Sequence, residues 1–257
     1  MHSQPNRFSF ELQPQFDLSL RRMGPEREPL LVIERVLRDP GALVEYAATQ
    51  VDFKPAWKER GGYPGIRAPA PLNYVERLVK AIGPSIERAF GLTGVRLARA
   101  ECSLSMVTLT PGELRPFQTI PHVDTVDPLQ FAVLHYLCPR EMGGTAFYRH
   151  RATGFQSLTA ERSDEYDRIR DEELAEASLP SGYITSSSDH YEQVDAVEAA
   201  YDRVTVYRSR TFHSGQIPAG IELSNDPRYG RLTANIFVNY AHPKKAPPGG
   251  GAVGGED

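Results

Sequence analysis

The sequence predicts a mainly β domain, a sandwich or barrel, with helices flanking it. Three observations carry this. From about Val95 onward, short β-rich runs alternate with turn residues, at 95–109, 130–137, 144–150, 203–208 and 231–240. Ahead of them, apolar residues recur at helical spacing instead. The chain has 257 residues, 40% of them hydrophobic, enough to bury one large core.

The elements follow in order. Residues 1–8 are polar and expected to be loose. Leu30-Leu31-Val32-Ile33 is a strand-like run. Asp39-Pro40 supplies a helix N-cap and a proline at the first helical position, where its missing N–H costs nothing. Leu43, Val44, Ala47, Ala48 and Val51 continue that helix at amphipathic spacing. Residues 54–71 are rich in proline and glycine and read as an ordered loop. A second helix is predicted from about Asn73 to Phe90, with a break near Gly83-Pro84. Within the β-rich half, residues of about 159–200 form a helical insert, charge-dense and helix-prone up to Ala177. It reads either as a solvated surface helix or as a lid or dimer-forming insert. Residues 246–257 are low-complexity linker, expected to be disordered. The expected division is a strand and helical support region (1–94), a β-rich core (95–245) and that tail, one globular domain overall.

Composition narrows the function classes. The formal charge of −4 gives no reason to expect nucleic acid or an anionic membrane as a partner. Cys102 and Cys138 lie in apolar runs and read as core residues, too few for a cysteine-built zinc site. The first residues carry no apolar leader, and no run approaches a membrane span, so the expected location is the cytoplasm.

The chemical clue is Pro121-His122-Val123-Asp124. On a strand, residues i and i+2 share a face, so His122 and Asp124 can reach one metal ion together. A third ligand is needed, and His213 is the leading candidate, placed after the strand-like run Val204-Thr205-Val206-Tyr207 and before Ser214-Gly215. Two imidazoles and one carboxylate make the facial triad of non-haem Fe(II) oxygenases, which leaves adjacent metal positions open. His-x-Asp pairs alone are common, so the surroundings decide. His2 and His242 are terminal, His190 lies in a polar loop, and His135 and His150 sit in strand-like runs as core or supporting residues.

Those surroundings, from about Met106 to Tyr240, resemble the prolyl-hydroxylase-like branch of the Fe(II)/2-oxoglutarate dioxygenases. Thr110-Pro111-Gly112-Glu113 looks like the turn leading into that superfamily's first metal-binding strand. His122-Val123-Asp124 matches its His-x-Asp motif, and His213 its distal histidine. Val133-Leu134-His135-Tyr136-Leu137 followed by Gly143-Gly144-Thr145 is similar to its strand and Gly-Gly turn. Gly230-Arg231-Leu232-Thr233 looks like the last core strand with its basic residue. Two departures stand out: the long His122–His213 interval, filled by the insert, and a long interval from His213 to Arg231.

The resemblance implies a double-stranded β-helix, a jelly-roll or cupin-like barrel. It implies Fe(II) held by His122, Asp124 and His213, with 2-oxoglutarate as co-substrate and dioxygen as oxidant. Arg231 would anchor the far carboxylate, helped by Thr233 on the same strand face and by the Tyr136 hydroxyl. Arg228, in a turn beside Pro227, is expected to be solvated instead. The retained Asp124 favours hydroxylation over halogenation. Arg149, Arg67 and Arg115, with Trp57 and Tyr63, are expected to border a pocket for a small, amino-acid-like molecule or a peptidyl residue. The competing readings are a cupin-like metal enzyme that does not use 2-oxoglutarate, and a non-catalytic sensor or binding protein on the same barrel.

Overall fold

A computed structural model describes residues 8–59, 61–175 and 181–243. The strands are β1 (Asp17–Met23), β2 (Glu28–Glu34), β3 (Lys54–Trp57), β4 (Gly62–Pro69), β5 (Arg96–Val107), β6 (Gln130–Tyr136), β7 (Thr145–His150), β8 (Tyr191–Val197), β9 (Arg203–Arg208), β10 (His213–Gly215) and β11 (Leu232–Ala241). The helices are α1 (Pro40–Thr49), α2 (Leu72–Phe90) and α3 (Ala160–Ala175). All pairings are antiparallel. They build an eight-stranded sheet in the order β1-β2-β9-β6-β11-β5-β4-β3 and a three-stranded sheet in the order β10-β7-β8.

Strand alternation sorts the large sheet's residues between two environments. Val204, Val206, Leu232, Ala234, Ile236 and Val238 face the helices, packing with Leu78, Ile82 and Ile86 of α2 and Leu43 of α1. The intervening residues face the small sheet. There Leu30, Ala132, Leu134, Tyr136 and Tyr207 meet Phe147 and Val197. The small sheet packs mainly on the β1-β2-β9-β6 part of this face, and Tyr207 of β9 with Asn235 of β11 borders a cavity.

Several expectations change. Residues 54–71 are not a loop: β3 and β4 form a hairpin at the sheet edge, and β4 pairs with β5. The glycine is needed there, because a Cβ on Gly65 would lie 1.9 Å from the Met106 carbonyl oxygen. The second helix is unbroken, with Pro84 on its solvent-facing side and Gly83 near Tyr240. α1 matches its predicted start: Asp39 caps it, accepting from Ala42 N. The insert is not helical throughout, since 191–197 is β8, an edge strand of the small sheet. α3 buries only Tyr166 and exposes most of its charges, as a solvated surface helix does. The tail 246–257 and residues 1–7 lie outside the described residues. Among the described residues no helix is long and apolar enough to cross a membrane.

Candidate metal centre

His213 opens β10, and a two-way main-chain pair ties it to His122: His122 N donates to His213 O (3.0 Å) and His213 N to His122 O (2.9 Å). Asp124 N then donates to Ser209 O at 2.8 Å. The segment is therefore not a strand, as expected from the i, i+2 spacing. It is a single bridge at His122 followed by a bend, docked on the chain around Ser209–His213. The three side chains nonetheless converge. His122 Nε2 lies 3.8 Å from Asp124 Oδ1, and His213 Nε2 lies 3.7 Å from Asp124 Oδ2. One ligand atom from each residue can be chosen so that all three lie within 4.8 Å of one another. Ligands at about 2.0–2.2 Å from a common ion sit about 3 Å apart in cis, so a small contraction suffices.

The protonation states suit ligation. His213 Nδ1 is 2.9 Å from Thr211 O, so Nδ1–H donates there and the Nε2 lone pair faces Asp124. Removal from bulk water is the main cause that lowers His213 to about 4. The same cause, with His213 adding to it and Asp124 opposing it, lowers His122 to about 4. The His122 side chain is 54% exposed, but it opens on the cavity. Burial raises Asp124, and the charges of His122 and Arg67 pull it back. Both imidazoles are thus neutral near pH 7, the form that binds metal.

These residues line a cavity of about 550 Å³ together with Tyr63, Arg67, Phe117, Gln118, Tyr183, Tyr207, Asn235 and Arg231. Arg231 is only 4% exposed. Its Nε donates to Met142 O and Gly143 O (both 3.1 Å) and its Nη2 to Gly144 O (2.9 Å), while Nη1 takes no part in these bonds. The Gly-Gly turn beneath it admits no side chain, since a Cβ on Gly143 or Gly144 would lie 1.8 Å from a carbonyl oxygen. Tyr136 and Thr233 are fully buried behind the wall rather than on it. The Tyr136 hydroxyl hydrogen-bonds Thr145 Oγ1 at 2.7 Å, and Thr145 does line the cavity.

The arginines separate. Arg67 lines the cavity, whereas Arg228 is on the surface, paired with Glu45 at 2.8 Å. Arg149 is a correction: after the register shift at Phe147/Tyr148 it pairs with Glu192 across β7 and β8, at 3.3 Å, off the cavity wall. Arg115 is another, folded back to donate to Glu113 O over the preceding turn. Trp57 also stays off the wall, while Tyr63 is on it. Tyr207, whose ring lies 4.8 Å from that of His213, was not singled out from the sequence. The alternation Val204/Val206 against Thr205/Tyr207 is the signal that places it on the metal-site face. His135 and His150 are fully buried and bonded elsewhere, to Asp202 and Glu173 respectively.

The chain thus combines an antiparallel two-sheet fold with a His-Asp-His cluster on a cavity wall. The chain belongs to the family of unknown function DUF6445, whose profile matches residues 14–238. No curated protein matches it. Among solved structures it is similar to the non-haem α-ketoglutarate-dependent epimerase SnoN from nogalamycin biosynthesis, at 15% identity and TM-score 0.46, over 84% of this chain and 81% of that one. It is also similar to HygX from Streptomyces hygroscopicus with nickel, 2-oxoglutarate and hygromycin B bound, at 14% identity and TM-score 0.41, over 82% of each chain. An N-substituted L-amino acid dioxygenase from Burkholderia ambifaria AMMD matches at 11% identity and TM-score 0.36, over 88% of this chain and 94% of that one.

Proposed function

We propose that this protein is a non-haem Fe(II)/2-oxoglutarate-dependent oxygenase of the hydroxylase type, acting on a small molecule or amino-acid-like substrate. On this reading the two sheets are the halves of a double-stranded β-helix, close to the prolyl-hydroxylase-like branch. The observation that carries the proposal is the convergence of His122, Asp124 and His213, ligand atoms within 4.8 Å, on a cavity that also holds the buried Arg231. The donor set fits iron: two neutral imidazoles and a carboxylate, on a wall with room for further ligands. Iron(II) bound there, with 2-oxoglutarate and dioxygen, supplies the oxidising power that an unactivated C–H bond demands. The protein's own part is to orient and to exclude water. Thr211 fixes the His213 tautomer. Arg231 would hold the far carboxylate of the co-substrate, and Thr145, whose hydroxyl Tyr136 holds, lines the same cavity.

One observation favours a second reading. Arg231 already satisfies three carbonyls of the 142–144 turn, which is also what a structural arginine does. In that case the site is a cupin-like metal centre that does not use 2-oxoglutarate. The affinity for 2-oxoglutarate in Fe(II)-loaded protein separates the two. Under the oxygenase reading Arg231→Ala loses roughly 10²–10³ in affinity, as removal of one member of a buried charge pair does. Arg231→Lys recovers part of it, because charge survives without the fork. Arg228→Ala is silent. If all three variants and the wild type behave alike, the cupin-like reading replaces the oxygenase one.

A further inference from the structure

The cavity holds a second arginine, Arg67, that makes no ion pair among the described residues. Arg67 projects from β4 opposite Ser105 of β5, in the middle of a paired strand. Its guanidinium carbon lies over the Tyr63 ring, 4.3 Å from the centroid, a cation–π contact with one wall of the cavity. Its Nε is buried without a hydrogen-bond partner. No carboxylate lies within ion-pairing distance of Arg67 among the described residues. Arg231 is bonded to three carbonyls and Arg228 to Glu45. Arg149 and Arg210 also leave Nε without a hydrogen bond, but each guanidinium is ion-paired, with Glu192 and Glu28 respectively. Arg67 also acts on the triad electrostatically, being one of the charges felt by both His122 and Asp124. A buried polar group left unsatisfied is costly. A strand arginine kept in that condition, beside a candidate metal centre, is positioned for an anion from outside the chain.

We infer that Arg67 binds the anionic group of the substrate, and that the substrate is a small organic anion, a carboxylate or phosphate monoester. The planar guanidinium suits either as a two-point contact. Val107, Phe117, Ile217 and Phe237 on the same cavity provide apolar wall for the remainder of the molecule. Anchored at Arg67, its body extends toward His122 and Asp124, where oxidation of a C–H bond would occur. This rests on the oxygenase reading in one respect, that Arg231 and not Arg67 serves 2-oxoglutarate.

The test uses full-length protein loaded anaerobically with Fe(II) and 2-oxoglutarate. The probes are L-amino acids and N-acetyl-L-amino acids, each with its carboxamide, and glycerol phosphate with glycerol. Melting temperature and the visible metal-to-ligand band are followed together. At least one anion is expected to raise the melting temperature and perturb the band, with its neutral counterpart inert. Carboxylate and phosphate arms tell the two sources apart. Arg67→Gln should weaken that binding roughly 10- to 100-fold, Arg67→Lys should restore part of it, and the 2-oxoglutarate affinity of both should stay at the wild-type value. The assignment is overturned if no anion binds, if neutral counterparts bind equally, or if Arg67→Gln binds the anion as the wild type does. It is also overturned if Arg67→Gln loses 2-oxoglutarate instead, which makes Arg67 the co-substrate anchor. Absence of the band in the wild type counts against the oxygenase reading alone. The melting-temperature panel with Fe(II)-loaded protein then still decides the role of Arg67.

Discussion

The two faces of the eight-stranded sheet are built from the same strands, one residue apart, and do opposite things. On the helix face, Leu232, Ala234, Ile236 and Val238 of β11 pack with α2 and are at most 1% exposed. The polar groups on that side are closed among themselves. Tyr74 Oη is 2.8 Å from His135 Nδ1, His135 Nε2 is 3.0 Å from Asp202 Oδ1, and Asp202 also accepts from Leu37 N. On the other face, where the small sheet stops, Asn235 of β11 and Tyr207 of β9 border open space. There Arg67 Nε is buried without a hydrogen-bond partner. Satisfied polar groups in a dense core secure a fold. Unsatisfied ones around a cavity are available to ligands. The comparison therefore predicts that stability and chemistry separate by face.

The largest effect should come from the cavity side. Asp124→Ala removes one of the three proposed metal ligands, and metal affinity should fall by more than the roughly 10–100-fold that losing an outer-shell partner costs. Oxygenation should vanish while the melting temperature of the metal-free protein stays near that of the wild type. A variant that turns over normally would show that the triad is misassigned. The helix face should respond in the opposite sense. Leu78→Ala, fully buried on α2 against that face, should cost about 2–5 kcal/mol in denaturant unfolding yet bind metal normally while folded. Equal stability with lost metal binding would erase the distinction between the faces. Asp202→Ala sharpens it, because Leu37 N and His135 Nε2 lose their acceptor. Each group left unsatisfied should cost about 1–3 kcal/mol, with the metal site untouched. The smallest effect belongs to Arg149→Ala. Its pairing with Glu192 is partly solvated, so stability should move by less than about 1 kcal/mol and co-substrate affinity not at all.

What could be read ahead of the structure follows the same physics. The β-rich runs, both early helices and the three candidate ligands were legible, because each leaves a local pattern: alternation, an Asp39-Pro40 cap, a His-x-Asp spacing. The reason for the convergence was not. His122 and Asp124 meet because a single bridge to His213 and a bond to Ser209 O dock the segment, contacts some 90 residues apart in the chain that leave no periodicity. β3 and β4 were hidden by their prolines and glycines, which edge position and the close approach at Gly65 require. β8 was hidden by its setting, an edge strand with half-buried polar residues inside a charged insert. Arg149 was misplaced because a register shift turns that end of β7 toward Glu192. Arg67 was named from its segment alone, whereas its strand and its pairing with Ser105 are what bring it to the cavity.

The central claim is that His122, Asp124 and His213 hold iron in a cavity that also admits 2-oxoglutarate. Anaerobic titration of metal-free protein with Fe(II), then with 2-oxoglutarate, addresses it most directly. The account predicts one iron per chain and a weak visible metal-to-ligand band that grows to saturation with 2-oxoglutarate and is missing in Asp124→Ala. Tight iron binding by the wild type with no band at any 2-oxoglutarate concentration would contradict it.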